Sequence, residues 1–453
     1  MNDPAETIAA IATATGKGGI GVVRVSGPGS REIARQIIKK DPQPRQALYS
    51  SFRAESGELI DRGILLYFQA PASYTGEDVV EFQAHGATAT LECLLQECIS
   101  RGARLARPGE FTERAFHNDR LDLLQAEAVA DLINSQSRES AQSAMRSLGG
   151  EFSRGINDLV SEIEELRVFT ESALDFPEEE IDFIKESDLD KKIANTIEKV
   201  LQVLESARQG RVMLDGASIT IVGEPNVGKS SLLNRLGRSD RAIVSSQPGT
   251  TRDVLEDNII INGVPLRVTD TAGIRSTADE IEKEGIDRAT REAQQADLVL
   301  LVLDASNRND EEVKKFLPGS ARVIEVLNKI DLLAGEELEG HEKKETGKEG
   351  SGQVYVSAKT GEGLDDLREK IYSCLNPHTA ERSLPGRARH IEALELTLVE
   401  LEQSMRQVRH AQPAAELIAE DLLRAQQALE SITGKTVADD LLGKIFSSFC
   451  IGK

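Results

Sequence analysis

Hydrophobic and polar positions follow different periods in different parts of the chain, and these changes of period divide it. From residue 1 to 118, short runs rich in β-branched residues predict strands, including Val22–Gly27 and Gly63–Phe68. Two stretches carry helical spacing instead: Ser30–Lys40, with Ser30 as the expected N-cap, and Ala87–Ser100. The first segment is therefore predicted to be an α+β domain.

Helical spacing dominates the next segment, residues 119–212. Apolar residues recur at helical positions from Leu121 to Leu148, Gly149 marks a break, and Pro177 is expected to stop the following helix inside the acidic stretch DFPEEEIDF. Helical spacing returns from about His390 to the end of the chain. Long amphipathic helices of this kind usually bundle, so both stretches are assigned to one all-α domain.

Residues 213–378 lie between the two helical stretches and alternate strand-like with helix-like runs. Leu298–Ser306 and Arg322–Asp331 are apolar enough to be buried strands of a parallel sheet with helices on both faces. The stretch Ala334–Gly352 is charged, nearly devoid of apolar residues, and predicted to be a mobile loop. The predicted domains are 1–118, 119–212, 213–378 and 379–453, with the α/β domain inserted into the helical one.

Composition narrows the environment and the partners. The chain of 453 residues is 39% hydrophobic and 29% charged, with no apolar run near the ~20 residues of a membrane span. No signal peptide is recognisable, and the four cysteines form no C-x-x-C pair, which favours a reducing cytoplasm. A formal net charge of −22 means that any RNA contact must come from a local basic patch or be shared with a partner protein.

The stretch Ile219–Leu233 carries the strongest chemical signal. A β-branched run leads into G-x-x-x-x-G-K-S and then into a helix, which is the order of a phosphate-binding loop. Lys229 is expected to reach the outer phosphates, and the Ser230 hydroxyl to bind Mg²⁺. A second glycine pattern, G-x-G-x-x-G from Gly16 to Gly21, is rejected as a dinucleotide site because a strand follows it where a helix is required.

Four further motifs follow in order. PGTTRD contains Thr251, which can complete the Mg²⁺ shell, and DTAG places Asp270 at a strand end near the metal. In NKID, Asp331 can accept two hydrogen bonds from guanine, whereas adenine lacks that pair of donors. SAK can close over the base. Guanine nucleotide contacts are predicted at Asn226, Val227, Gly228, Lys229, Ser230, Ser231, Ser245, Ser246, Gln247, Pro248, Gly249, Thr250, Thr251, Asp270, Thr271, Ala272, Gly273, Asn328, Lys329, Asp331, Ser357, Ala358 and Lys359.

Two features of the motifs concern catalysis: the residue that orients the attacking water, and the cation that neutralises the phosphates. The position after Gly273, where Ras-type switches carry a water-orienting glutamine, is Ile274, and the acidic run from Asp279 to Glu284 offers substitutes. The phosphate loop carries Asn226, whose side-chain oxygen can bind a monovalent cation. A K⁺ cage is predicted from Asn226, Ser245, Gln247 and Thr250.

The chain resembles the bacterial tRNA-modification GTPases of the MnmE (TrmE) family over nearly its whole length. The resemblance is carried by GGIGVVRVSG, TGEDVVEFQAHG, ARPGEFTERAFHNDRLDLLQAEAVADLI, DFPEEEIDF, GEPNVGKSSLLN, the DTAGIR region and the final DDLLGKIFSSFCIGK. It implies an N-terminal domain that binds 5-formyltetrahydrofolate and holds a homodimer together, and a Ras-like G domain inserted in a helical domain. It also implies modification of C5 of the wobble uridine of certain tRNAs, in a heterotetramer or larger complex with the flavin-dependent partner MnmG.

The resemblance also assigns roles to residues. It implies a folate site at Arg24, Glu81, Arg120 and Lys453, and it selects Glu282 from the acidic run as the essential acidic residue. Cys450 is either catalytic or a small apolar residue that packs the last turn. A different class remains open, a GTP-driven ribosome-assembly or RNA-binding switch without modification chemistry, because related GTPases share all five nucleotide motifs.

Overall fold

The computed structural model describes residues 6–14, 16, 18–135, 137–174, 188–224, 226–237, 256–262, 264–270, 296–307, 322–333, 353–375, 384, 386–410, 413–437 and 439–452. Within these ranges the chain forms two six-stranded sheets and twelve α-helices. The helices are α1 (Ser30–Ile38), α2 (Thr88–Ser100), α3 (Glu110–His117), α4 (Leu123–Asn134), α5 (Arg138–Leu148), α6 (Glu151–Leu174), α7 (Leu189–Asp215), α8 (Lys229–Leu236), α9 (Leu364–Leu375), α10 (Ala388–Val408), α11 (Ala415–Thr433) and α12 (Asp439–Ser447).

The chain divides into two compact units. The first comprises Met1–Ala130, Leu148–Thr196 and Leu396–Lys453, and the second comprises Asp131–Ser147 and Ile197–Glu395. The four domain ranges predicted from the sequence stay a prediction. None of the helices within the described ranges is long and apolar enough to cross a membrane.

The sheet of the first unit has the strand order β3-β4-β5-β2-β1-β6. Its strands are β1 (Ile8–Ile11), β2 (Gly18–Ser26), β3 (Leu48–Arg53), β4 (Leu59–Phe68), β5 (Val79–Gly86) and β6 (Arg104–Leu105). All pairs are antiparallel except β1 with β6. Alternate residues point to one face, where Phe52 and Phe82 pack edge to face at 5.4 Å among residues of α1 and α2.

The start of α1 corrects one expectation. Ser30 was expected to be the N-cap, but it is the first helical residue, and Gly29 occupies the cap position. The Ser30 hydroxyl donates instead to the carbonyl oxygen of Gly27 at 2.7 Å, and Thr7 Oγ1 accepts from the Gly29 N–H at 2.8 Å. Helix α1 therefore has no side-chain cap hydrogen bond, and the hydroxyl of Thr7, the residue before β1, satisfies only the N–H of the cap residue.

The predicted helical stretches are present with revised ends. The stretch from Leu121 to Leu148 divides into α4 and α5, because Ser137 Oγ accepts a hydrogen bond from the Ser140 N–H at 3.1 Å and begins a new helix. Helix α6 ends at Leu174. Pro177, which was expected to stop this helix, lies outside the described residues. Helices α6 and α11 pack together in the first unit.

The sheet of the second unit has the strand order β12-β11-β10-β7-β9-β8. Its strands are β7 (Ala217–Val222), β8 (Glu256–Ile261), β9 (Val264–Asp270), β10 (Leu298–Asp304), β11 (Val323–Asn328) and β12 (Gln353–Tyr355). Only β8 runs antiparallel to its neighbour. Six consecutive residues of β10 are buried, as expected for a central parallel strand, and the carboxyl ends of β7, β10 and β11 share one edge. The loop predicted over Ala334–Gly352 lies outside the described residues.

Candidate functional site

The phosphate loop connects β7 to α8, as predicted. A Cβ on Gly223 would lie 2.2 Å from the carbonyl oxygen of Val302, so no larger residue fits there. Gly228 is the N-cap of α8 with φ +99°, and Asn226 also has a left-handed backbone, with φ +63°. These conformations turn the chain sharply into the amino end of α8, where backbone N–H groups and the helix dipole favour an anion.

The lysine of the loop is held in place by the loop itself. Lys229 Nζ donates to the carbonyl oxygens of Gly223 at 2.7 Å and Glu224 at 2.8 Å. Its ammonium group is thus positioned across the loop that is expected to receive the phosphates. Asn226, Ser230 and Ser231 are exposed, so their oxygen atoms are accessible to a bound ion or nucleotide.

Asn328 joins the phosphate loop to the loop that is predicted to close over the base. The residue ends β11 and is only 2% exposed. Its Nδ2 donates to the carbonyl oxygen of Val227 at 2.8 Å, and its Oδ1 accepts from the Ala358 N–H at 2.9 Å. One buried amide therefore sets the spacing between the two sides of the site.

Asp331 is oriented by the SAK loop. Ser357 Oγ donates to Asp331 Oδ1 at 2.7 Å, and the same hydroxyl accepts from the Thr360 N–H at 3.1 Å. Lys359 Nζ lies 3.9 Å from Asp331 Oδ2. The hydroxyl of Ser357 in the SAK motif therefore orients the Asp331 carboxylate, which is predicted to bind guanine.

Asp304 is a site residue that sequence reasoning missed. It ends β10 directly opposite Asn328 and accepts a hydrogen bond from Lys329 Nζ at 2.7 Å. Ser306 donates to the same carboxylate through its hydroxyl at 2.6 Å. Burial raises the pKa of Asp304, but the bonds from Lys329 and Ser306 outweigh it and hold that pKa below its ordinary value. The sequence did carry a signal for Asp304, because this acidic residue ends the apolar run Leu298–Leu303 in a strand that was expected to share a sheet with NKID.

Several predicted nucleotide residues lie outside the described part of the chain. These are Ser245, Ser246, Gln247, Pro248, Gly249, Thr250, Thr251, Thr271, Ala272, Gly273 and Glu282. Asp270 ends β9, opposite Ile221 of β7. Its backbone therefore lies beside the strand that leads into the phosphate loop.

Two of the predicted folate residues pair with each other in the first unit. Arg24 on β2 stands opposite Glu81 on β5, and two nitrogens of its guanidinium approach one Glu81 oxygen at 2.9 and 2.8 Å. The rings of Tyr74 and Phe111 lie 5.5 and 5.7 Å from the guanidinium carbon. The cation is thus bounded by one carboxylate and two aromatic rings.

Gly452, the last described residue, lies beside Arg24. Arg24 Nη1 approaches the carbonyl oxygen of Gly452 at 3.5 Å. A Cβ on Gly452 would lie 2.4 Å from the Ile11 carbonyl oxygen, so this segment packs tightly against β1. Cys450 is exposed, and its carbonyl oxygen accepts from the Gly109 N–H at 3.4 Å. Lys453 lies outside the described residues.

Arg120 packs beside the loop that carries Tyr74, a residue that also contacts Arg24. Its side-chain stem approaches Gly76, where an added Cβ would lie 3.3 Å from Arg120 Cγ. Arg120 is exposed. The structure therefore brings Arg24, Glu81 and the C-terminal segment together, with Arg120 beside the same loop.

A buried carboxylate supports this region and was not predicted. Glu110 is 1% exposed and accepts hydrogen bonds from Arg104, from the Arg107 N–H and from Arg114. Burial raises the pKa of Glu110, but these bonds outweigh it and lower that pKa to about 2. Arg114 also pairs with Glu77 at 3.0 Å. The network fixes α3 next to the strands.

Two family models cover most of the chain. Residues 7–120 match the model described as GTP-binding protein TrmE N-terminus, and residues 123–450 match the MnmE helical domain. The chain belongs to the MnmE family. The family resemblance predicted from the sequence is confirmed, and so is the predicted combination of an α+β N-terminal domain, a helical domain and an inserted Ras-like G domain.

Full-length relatives agree with this membership of the MnmE family. The tRNA modification GTPase MnmE of Marinobacter nauticus is 49% identical over 465 residues, covering all of both chains. The protein of the same description from Stutzerimonas stutzeri is 48% identical, covering 99% of each chain. A solved G domain, that of the T. maritima FeoB iron transporter, is 28% identical over 35% of this chain and 98% of its own, with a TM-score of 0.24.

Proposed function

We propose that this MnmE-family chain hydrolyses GTP in order to modify C5 of the wobble uridine of certain tRNAs. It acts in the cytoplasm as a homodimer and joins the flavin-dependent partner MnmG in a heterotetramer or larger complex. The product carries a carboxymethylaminomethyl or aminomethyl group, and a tetrahydrofolate donates one carbon. The observation that carries the GTPase part is the amide of Asn328, which joins a phosphate loop to a guanine-reading Asp331.

Donor groups at the predicted positions suit GTP and its metal ions. Lys229 would neutralise the outer phosphates, and Asp331 would select guanine over adenine. Ser230 and Thr251 would hold Mg²⁺, a cation that prefers hard oxygen ligands and that neutralises charge on the transferred phosphoryl group. Glu282 would position the attacking water, directly or through a second water.

A K⁺ ion would take the place of the arginine with which many GTPases neutralise charge on the transferred phosphoryl group. The exposed side chain of Asn226 offers an oxygen from a loop position whose backbone already turns toward α8. Ser245, Gln247 and Thr250 would add oxygens from the following segment. When bound, K⁺ supplies positive charge beside the phosphates and favours the meeting of two G domains.

The N-terminal site has the groups that a formylated folate needs. Arg24 and Glu81, which pair with each other, offer a cation and a carboxylate to one polar end of the ligand such as the pterin edge, and Tyr74 offers a ring for a flat ligand. Arg120 and Lys453 would add further positive charge. Exposed Cys450, which lies two residues from Gly452, would be close enough to take part in the one-carbon chemistry.

Calorimetry with 5-formyltetrahydrofolate separates this proposal from an assembly switch, which has no need of a folate site. We expect the wild-type chain to bind the folate, and Arg24→Ala and Arg120→Ala to weaken binding while GTP hydrolysis is retained. Arg31→Ala is the matched control, because Arg31 is a surface arginine of the same sheet domain paired with Asp41. No heat of binding for the wild-type chain would favour the assembly switch. Unchanged affinity in both variants would remove these residues from the site.

A further inference from the structure

A cleft in the first unit gathers positive charge that neither the nucleotide site nor the folate site uses. It opens beside β3, an edge strand of the sheet, and has a volume of about 310 Å³. The residues that define this basic cleft are Lys39, Lys40, Tyr49, Ser51, Arg53 and Arg62. They come from the end of α1, from β3 and from β4, so the fold and not a sequence run brings the four cations together.

The charges of the basic cleft are not neutralised in the way that neighbouring charges are. On the same helix, Arg31 pairs with Asp41 and Arg35 pairs with Glu32, each at 2.7 Å. Within the described part of the chain, Lys39 and Lys40 have no ion pair, and no carboxylate lines the cleft. In a protein with a formal net charge of −22, four cations with no carboxylate among the residues that line their cleft form a distinct electrostatic site.

The shape of the basic cleft adds hydrogen-bond donors and an aromatic surface. Ser51 stands directly opposite Arg62 across the β3–β4 pair. Arg53 Nη1 donates to the carbonyl oxygen of Gly57 at 3.0 Å, which directs its side chain along the hairpin. Tyr49 is 67% exposed, and Ile64, its neighbour across the pair, is 38% exposed. A large ring left in solvent next to cations is a surface on which a flat group can stack.

This combination of groups suits single-stranded RNA better than it suits other anions. Lysine and arginine side chains attract backbone phosphates, hydroxyls donate to phosphate or ribose oxygens, and an exposed ring stacks with an unpaired base. The amino-acid carboxylates of an acidic peptide would use the cations but not the ring. The partial negative charge at the carboxyl end of α1, about half an elementary charge, is outweighed by the four cations.

We propose that the basic cleft binds the tRNA substrate, with backbone phosphates on its cations and an unstacked base on Tyr49. Because tRNA is the substrate in the proposed function, this assignment rests on that function. The rest of a strongly acidic chain repels RNA, so a local cleft of this kind would also orient the tRNA as it approaches.

The test measures binding of a labelled tRNA transcript to the full-length chain by fluorescence anisotropy at about 50 and 200 mM salt, a range over which phosphate contacts change affinity strongly. We expect the double variant Lys39→Ala with Lys40→Ala to bind at least fivefold more weakly. The slope of log affinity against log salt should fall by about 1 to 2, since each lost phosphate contact removes roughly 0.7 to 0.9. The control is Lys191→Ala with Lys192→Ala, an adjacent exposed lysine pair in the same unit.

Two further variants test the aromatic part. Tyr49→Ala should weaken binding at least fivefold, the lower end of base stacking, whereas Tyr49→Phe keeps the ring and should stay within about twofold of wild type. Thermal unfolding and GTP hydrolysis of the same preparations show that each variant is folded and active. Wild-type affinity and slope in both the double lysine variant and Tyr49→Ala would overturn the proposal.

Three other outcomes of these assays would count against the tRNA assignment or against the proposed function. Polyglutamate that displaces the tRNA at an equal charge concentration would show an acidic-peptide site and overturn the RNA assignment. A wild-type chain that hydrolyses GTP but binds no tRNA at low salt would overturn this inference alone. A wild-type chain that fails to hydrolyse GTP would count against the proposed function, whatever its RNA binding.

Discussion

Replacement of Asn328 should damage both the stability and the nucleotide affinity of the second unit. The side chain is 2% exposed and satisfies two backbone groups, the Val227 carbonyl and the Ala358 N–H. Asn328→Ala leaves both groups without this partner, and each buried unsatisfied group costs about 1–3 kcal/mol. The expected loss of local stability is therefore about 2–6 kcal/mol.

Native-state hydrogen exchange is the appropriate assay, because amides of β7 and β11 report on this unit without requiring the whole chain to unfold in one step. Titration with a fluorescent GDP analogue measures the second effect. We expect affinity to fall at least tenfold, about 1.4 kcal/mol, since the nucleotide must now order two loops that Asn328 held together.

Two variants sharpen the Asn328 test. Asn328→Asp keeps an acceptor for the Ala358 N–H but places an oxygen against the Val227 carbonyl, so it should affect the phosphate side more than the base side. Asn307→Ala makes the same truncation at an exposed position and should change neither quantity. Wild-type exchange rates and wild-type GDP affinity in Asn328→Ala would refute the assigned linking role.

Asp331→Asn should weaken GTP binding and favour xanthosine nucleotides in competition titrations; an unchanged preference for GTP would remove Asp331 from guanine selection. Glu282→Ala should lower kcat by roughly 10²-fold with GTP affinity nearly unchanged, as steady-state kinetics would show. K⁺ should stimulate hydrolysis far more than Na⁺ at matched ionic strength, and Asn226→Ala should abolish that difference while GTP still binds. The pKa of Glu110 lies at about 2, below its ordinary value of 4.5, so its stabilising effect is present above pH 4.5 and is lost as the pH falls toward 2; Glu110→Gln should flatten the pH dependence of unfolding in that window.

Contiguous patterns were readable from the sequence. The phosphate loop is recognisable from its contiguous G-x-x-x-x-G-K-S motif, in which Gly228 meets a local need because its backbone is left-handed, with φ +99°. The β-branched run in Val22–Gly27 and the apolar run at Leu298–Ser306 likewise identify β2 and β10 before any packing is known.

Contacts between distant residues were not readable in the same way. Asn328 and Val227 are 101 positions apart, and Arg24 and Glu81 are 57 apart. Their pairing depends on strand order and register, which no local period encodes. The N-cap predicted at Ser30 was wrong because Gly29 takes the cap position and the Ser30 hydroxyl donates to the carbonyl oxygen of Gly27.

We propose that this chain couples GTP hydrolysis to wobble-uridine modification. The most direct test is mass spectrometry of wobble uridines from a strain lacking the gene, complemented with wild type or with Lys229→Ala. We expect the C5 modification to disappear in the deletion strain, to return with wild type, and to stay absent with Lys229→Ala, whose ammonium group is held across the phosphate loop. Fully modified wobble uridines in the deletion strain, or full restoration by Lys229→Ala, would contradict the claim.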